Sequence, residues 1–212
     1  MKYRIGYVDE DEAQVTRYER KLREYFDVVT YDLPKGTPLE NLLEQIYNSS
    51  IDLLMVDYLM VNKGILTYNG DEVVRQFDEI RPHFPMIIFT NEENQAFPNV
   101  DNPNMIYDKS LVNKDIGKLV DILNKNIQVY KTFIDKRQEI IGTLLQKGES
   151  DEGLTSEEKH ILVQNQTELI NLDKRSNEVP LQLLNPEKLD NLSKTTKEAE
   201  QFLEMLLNQQ KK

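Results

Sequence analysis

Four sets of chemically capable residues stand at the ends of apolar, β-rich runs. Tyr3-Arg4-Ile5-Gly6-Tyr7-Val8 empties into Asp9-Glu10-Asp11-Glu12. Ile51-Asp52-Leu53-Leu54-Met55-Val56 closes on Asp57, and Pro85-Met86-Ile87-Ile88-Phe89 stops at Thr90. Met105-Ile106-Tyr107 is followed by Asp108 and Lys109. Open α/β sheets place their sites at the carboxyl ends of strands. An acid cluster, a single acid, a hydroxyl and a lysine at such ends form a set suited to accepting a phosphoryl group. A carboxylate can attack phosphorus and hold the group as an acyl phosphate. Both partners are anionic, so a cation is needed. Magnesium fits, since it keeps several waters and takes only one or two protein carboxylates. Glu10, helped by Asp9 or Asp11, supplies one and Asp57 another, which lowers the repulsion between Asp57 and the incoming group. Lys109 adds a compact positive charge. Thr90 adds a hydroxyl that can donate to a phosphoryl oxygen, sensing the group rather than attacking it.

Each residue has a plainer reading when taken alone. An acidic run is a solvated helix start favoured by the dipole, and Asp57 is a turn residue. Thr90 is a helix cap and Lys109 a surface charge. Their joint occurrence at four strand ends favours the site.

The elements that must position them alternate along residues 1–109. Strands are expected near 3–8, 27–31, 51–56, 85–90 and 104–107, with helices near 11–25, 38–48, 70–80 and 92–97. Such alternation predicts a parallel sheet covered by helices on both faces. The run 27–31 is the weakest strand and is expected at an edge. Thr37-Pro38-Leu39-Glu40 reads as a helix start capped by Thr37, and Gly70 marks another loop-to-helix junction. From about 114 to 147 proline is absent. Ile116, Val120, Leu123, Ile127, Tyr130, Ile134, Ile141 and Leu144 recur in alternating steps of four and three, with Arg137 filling one slot. This heptad-like stripe predicts one long helix of ~50 Å packed on another helix. Arg137 is expected to snorkel from a partly exposed seam. Gly148 and Gly153 should break it. Thr155 and Glu158 form a capping box for a helix of about 155–175. After a turn around 177–185, Asn185-Pro186 opens a last helix of about 186–208. An intramolecular bundle is preferred for the stripe, and a homodimer through the long helix is the alternative.

The strand-end residues resemble the receiver domain of bacterial two-component response regulators over about residues 1–112, leaving 113–212 as a helical C-terminal domain. Val8-Asp9-Glu10 resembles the acidic pair that holds magnesium. Val56-Asp57-Tyr58-Leu59-Met60 resembles the phosphoacceptor strand end, with its methionine. Gly70 resembles the glycine that opens the third helix, and Phe89-Thr90 and Asp108-Lys109 resemble the switch hydroxyl and the lysine. The resemblance implies a flavodoxin-like sheet of strand order 2-1-3-4-5. It also implies a histidine kinase or phosphotransfer protein as phosphodonor, and the Leu59 carbonyl as a further magnesium ligand. The output would run through the face around the fourth helix and fifth strand into the extended last helix and the helical C-terminal region. The sequence departs from that pattern in several places. Val61 and Ser110 stand where proline is usual, the loop from Asp57 to Gly70 is long enough for a lid or docking surface, and Asn91 replaces a small residue. Tyr107 lies two positions before Lys109 rather than three, so it should point differently.

Composition narrows the function. The 212 residues carry a net charge of −11. Through Lys109 there are 11 basic against 20 acidic residues, and 15 against 17 afterwards. Neither part has the basic excess that drives binding to phosphate backbones, so a nucleic-acid partner is not expected. No apolar stretch is long enough to span a bilayer, no secretory signal opens the chain, and cysteine is absent. A cytoplasmic location fits. His160 lacks the acidic neighbour of a phosphotransfer box and reads as a surface residue. With no catalytic motif after Lys109, the expectation is a signalling phosphoacceptor rather than an enzyme, with protein–protein output. A phosphate sink or relay, in signalling or defence, and a pseudo-receiver adaptor with an unused site are the alternatives.

Overall fold

The computed structural model describes residues 2–62, 64–150 and 153–175. The first strand is β1 (Arg4–Val8), followed by α1 (Glu12–Leu22), β2 (Asp27–Thr30), α2 (Leu39–Asn48) and β3 (Leu53–Val56). Next come α3 (Gly70–Ile80), β4 (Met86–Thr90), a single turn α4 (Glu93–Ala96) and β5 (Ile106–Asp108). The helical part is α5 (Leu111–Lys114), α6 (Ile116–Gly148) and α7 (Ser156–Ile170). All strand pairs are parallel, in the order β2-β1-β3-β4-β5. This is the expected doubly wound arrangement, with the weak run 27–30 at one edge.

The pleat divides the core in two. Ile5, Tyr7, Leu53, Met55, Ile87 and Phe89 pack on one face with Tyr18 and Leu22 of α1 and with Leu119, Leu123 and Ile127 of α6. Val8, Leu54, Val56, Met86 and Ile88 face the other way, onto α2, α3 and the segment around α4. β3 is buried along its whole length, as a central parallel strand requires. Its continuous apolar run is the consequence.

Two local expectations need correction. Thr37 does not cap α2. Pro38 occupies the cap position, and the Thr37 hydroxyl donates to the Pro34 carbonyl instead. The 57–70 loop is not a free lid. Tyr58, Met60, Leu66 and Tyr68 are buried in the α2/α3 core, and the Ile65 carbonyl accepts from Gly36 N.

Two compact units divide within α6, one ending at Phe133 and the other beginning at Ile134. The sequence reading put this division at 112/113. The difference arises because Leu123 and Ile127, on the first part of the stripe, and the neighbouring Leu119 are fully buried in the sheet's core. Tyr130 there meets Phe84 edge-on at 5.8 Å. In the second unit the stripe continues as half-buried Ile134, Arg137, Ile141 and Leu144. Arg137 is ion-paired to Glu168, and Lys147 to Glu158 at 2.6 Å. Residue 137 with 168 and 147 with 158 define an antiparallel return of α7 along α6. Arg137 is therefore paired within the chain rather than left to snorkel. The Thr155–Glu158 capping box is present, and Gly153 turns the chain at φ +63, a conformation suited to glycine. The expected 177–185 turn and 186–208 helix lie outside the described residues. Among those described, no helix is long and apolar enough to cross a membrane.

Candidate functional site

Parallel register brings the strand ends together. Asp9 follows β1, Asp57 follows β3 and Lys109 follows β5. Asp57 N donates to the Val8 carbonyl, and Lys109 N to the Thr90 carbonyl. By strand alternation Asp9, Asp57 and Lys109 share a parity with Tyr7, Met55 and Tyr107. Their side chains meet there. Lys109 Nζ lies 2.7 Å from Asp9 Oδ2 and 2.9 Å from Asp57 Oδ1. All three residues are buried, Lys109 with only 3% exposed. Lys109 Nζ also sits 5.9 Å from the centroid of the Tyr18 ring. Asp9, Glu10 and Asp57 each offer a carboxylate oxygen, and these oxygens lie within 4.8 Å of one another.

Burial raises the Asp57 pKa above its ordinary value of 3.8, and Lys109 offsets this only in part. Burial also works against the Lys109 ammonium, but the Asp57 and Asp9 carboxylates outweigh it and hold the amine above 10.5. Three carboxylates against one ammonium leave an anionic, oxygen-only donor set. Hard oxygens at this spacing fit a magnesium ion. Glu10, Asp57 and Asp9 would hold it, and it would supply positive charge at the site.

The hydroxyl of Thr90 is placed differently. Thr90 is fully buried and has the parity of Ile88, opposite to that of Asp57 and Lys109. Its Oγ1 accepts from Glu92 N at 3.0 Å, which tightens the turn into α4. The hydroxyl hydrogen is left to donate. Tyr107 packs toward α1 and α6, so it and Thr90 belong to opposite faces, as its displacement by one residue predicts. Leu59 follows directly in the turn after β3, half-buried, with its side chain against the α2/α3 core. His160 is exposed on α7.

Several residues brace the site; the sequence reading singled out Gly70 and Ser110 among them, but not Asn69 or the hydroxyl of Tyr7. Asn69 Oδ1 accepts from Met60 N and Val61 N, closing the long loop back on the turn after Asp57. Gly70 N donates to the Tyr58 carbonyl. A Cβ on Gly70 would lie 2.1 Å from the Asp57 carbonyl oxygen, so a side chain cannot fit. Ser110 N donates to Asp108 Oδ1 at 2.5 Å, a bond that proline could not make. Tyr7 is fully buried, and its hydroxyl donates to Asp9 Oδ2 at 2.5 Å. Burial first, and then the Asp9 charge, push the Tyr7 phenol well above its ordinary pKa. It therefore remains a donor. The polar consequence of an apolar-looking strand tyrosine was hidden because only the parity shared with Asp9 reveals it.

No family model matches the sequence, and no curated protein matches it. Solved structures with a similar fold include a response regulator receiver domain protein from Clostridium thermocellum, at 21% identity and TM-score 0.46 over 61% of this chain and 98% of that one. A receiver domain protein described as CheY-like, from Methanospirillum hungatei, has 20% identity and TM-score 0.44 over 60% and 98%. A structure described as adenylate cyclase from Rhodopirellula baltica has 21% identity and TM-score 0.48 over 62% and 94%.

Proposed function

We propose that this protein is a response-regulator-like phosphoacceptor, with Asp57 as the residue modified. The observation that carries this is Lys109 Nζ held between Asp57 and Asp9 inside a buried carboxylate cluster. In the proposed reaction an Asp57 carboxylate oxygen forms a bond to phosphorus as the donor's P–N bond breaks. The donor imidazole keeps the electron pair and takes a proton from solvent. Lys109 then turns from the free carboxylate toward the phosphoryl oxygens and Thr90 donates to one of them, while the Leu59 carbonyl would be a further ligand to a magnesium ion. The phosphodonor is a histidine kinase or phosphotransfer protein. The chain performs only self-catalysed phosphorylation and dephosphorylation, in the cytoplasm, and is not a turnover enzyme.

Output is proposed to be protein–protein contact. In the first unit a cavity of about 620 Å³ lies between α3, the segment after α4 and α6, with walls that include Val74, Phe84, Met86, Val100 and Tyr130. Apolar walls interspersed with the charged Asp71, Arg75, Asp78 and Glu79 are proposed as the contact face for a downstream protein partner. Homodimerisation through α6 is a further route for the signal. A receiver switch requires a partner that binds the two states differently. A phosphate sink needs no such difference, and an adaptor needs no phosphate. Incubation with acetyl phosphate and magnesium, read by intact mass, separates these readings. The expected result is one added phosphoryl group on the wild type and none on Asp57→Asn. An unmodified wild type leaves the adaptor. Modification without any change in oligomeric state or partner binding favours the sink.

A further inference from the structure

Asp9 is held more tightly than its proposed role as a cation ligand requires. Its Oδ2 accepts from the Tyr7 hydroxyl at 2.5 Å and from Lys109 Nζ at 2.7 Å. Its Oδ1 accepts from Asp11 N at 2.8 Å. An ionised carboxylate offers about four lone-pair sites, so three are already committed to the protein. The phenol is itself delivered from a fixed position. The Tyr7 ring stands edge-on to Tyr18 at 5.7 Å, and Tyr18 stands edge-on to Phe89 at 5.4 Å. These rings lie in the core beneath the site, and Lys109 passes over one of them. The packing alone would be satisfied by phenylalanine at position 7. The hydroxyl is the part that reaches Asp9.

We infer that Tyr7 is a positioning residue for the divalent cation, acting through Asp9. Its hydroxyl pins Oδ2, which keeps the carboxylate from rotating and from taking Lys109 wholly to itself. Lys109 then remains shared with Asp57, and direct ligation falls mainly on Glu10 and Asp57. The inference rests on the magnesium-assisted phosphoacceptor reading. Groups that orient a metal's ligands typically change metal affinity by about ten- to a hundredfold when removed.

Magnesium titration of the full chain, followed by calorimetry, tests it without any phosphoryl transfer. Tyr7→Phe, which keeps the ring contacts, is expected to weaken magnesium binding about tenfold. Tyr31→Phe removes a phenol that bonds Ser49 at 2.9 Å and is expected to change binding less than about twofold. A double-mutant cycle separates positioning from mere packing. In an Asp9→Asn background the Tyr7→Phe effect should shrink to within about twofold. Wild-type affinity in Tyr7→Phe overturns the inference, and so does an equal loss in both backgrounds. Absence of magnesium binding by the wild type overturns the phosphoacceptor reading together with it. The wild type also gives a reading that does not depend on a variant folding. A buried, short hydroxyl bond should give a slowly exchanging, downfield Tyr7 proton that persists when magnesium is added, and its absence overturns the inference.

Discussion

Neutralising Asp57 should stabilise the protein in the absence of a divalent cation. The carboxylate oxygens of the cluster lie within 4.8 Å of one another, and at that limit Coulomb's law at an effective dielectric of ~20 gives about 3.5 kcal/mol of repulsion for each pair of unit charges. Asp57 has two such carboxylate neighbours, Asp9 and Glu10, or about 7 kcal/mol together. Its attraction to Lys109 at 2.9 Å is about 6 kcal/mol on the same scale. Repulsion and attraction therefore nearly cancel, and burial, the leading cause of the raised Asp57 pKa, tips the balance against the charged carboxylate. Asp57→Asn keeps the shape, and Lys109 keeps its bond to Asp9 at 2.7 Å. A gain of about 1–2 kcal/mol follows, or roughly 2–8 °C in Tm at about 2–4 °C per kcal/mol. The pH dependence has a definite sign. A carboxyl with a raised folded pKa holds its proton more tightly in the native state, so wild-type stability falls as pH rises from 3.8 through the folded value. The advantage of Asp57→Asn should therefore open across that window and vanish below it. Urea melts of both proteins in EDTA, over a pH series, measure it. Magnesium at about ten times its Kd should stabilise wild type by about 1.4 kcal/mol and Asp57→Asn much less. The reasoning is refuted if Asp57→Asn is the less stable protein by 1 kcal/mol or more at neutral pH, by the same arithmetic.

Other substitutions probe the scaffold. Gly70→Ala drives a Cβ to within 2.1 Å of the Asp57 carbonyl oxygen and should cost about 1–3 kcal/mol in a urea melt, with weaker magnesium binding as the turn after Asp57 shifts. Leu123→Ala opens a cavity beneath the sheet, where the side chain is fully buried, and should cost about 2–5 kcal/mol. Lys109→Met leaves Asp9 and Asp57 as unpaired buried charges and should destabilise by about 3–5 kcal/mol near pH 7. Because the Lys109 pKa is raised, its contribution is present below 10.5 and is lost as pH rises through the higher folded value. Thr155→Ala removes the cap of α7 and should cost about 1 kcal/mol, seen as faster hydrogen exchange in residues 156–160.

The sheet was legible because its central strands β1, β3 and β4 are buried on both faces, so each appears as an apolar run that stops on a polar residue. Asp9, Glu10, Asp57 and Lys109 could be read for the same reason: a charge that ends such a run must lie at a strand end. The long helix was legible from its stripe, but the stripe does not say what it packs against. The face through Leu123 and Ile127 belongs to the sheet, while Arg137 further along pairs with Glu168 of α7, and both obey one period. Thr37 shows another limit. Its spacing to Glu40 matches a capping box, yet Pro38 takes the cap position and the threonine bonds backward to Pro34. Tyr7 was missed because a strand tyrosine looks like core until parity places its hydroxyl beside Asp9. Asn69 was missed because its partners, Met60 N and Val61 N, are fixed only by the closure of the loop.

The central claim is that Asp57 forms the acyl phosphate at a site assembled by Asp9, Glu10 and Lys109. Peptide mapping of the protein after treatment with a small phosphodonor, with borohydride used to trap the acyl phosphate, addresses it directly. The account predicts a reduced residue at position 57 that requires magnesium and disappears in Lys109→Met. Label at another aspartate, at Thr90 or at His160, with position 57 unmodified, would contradict it.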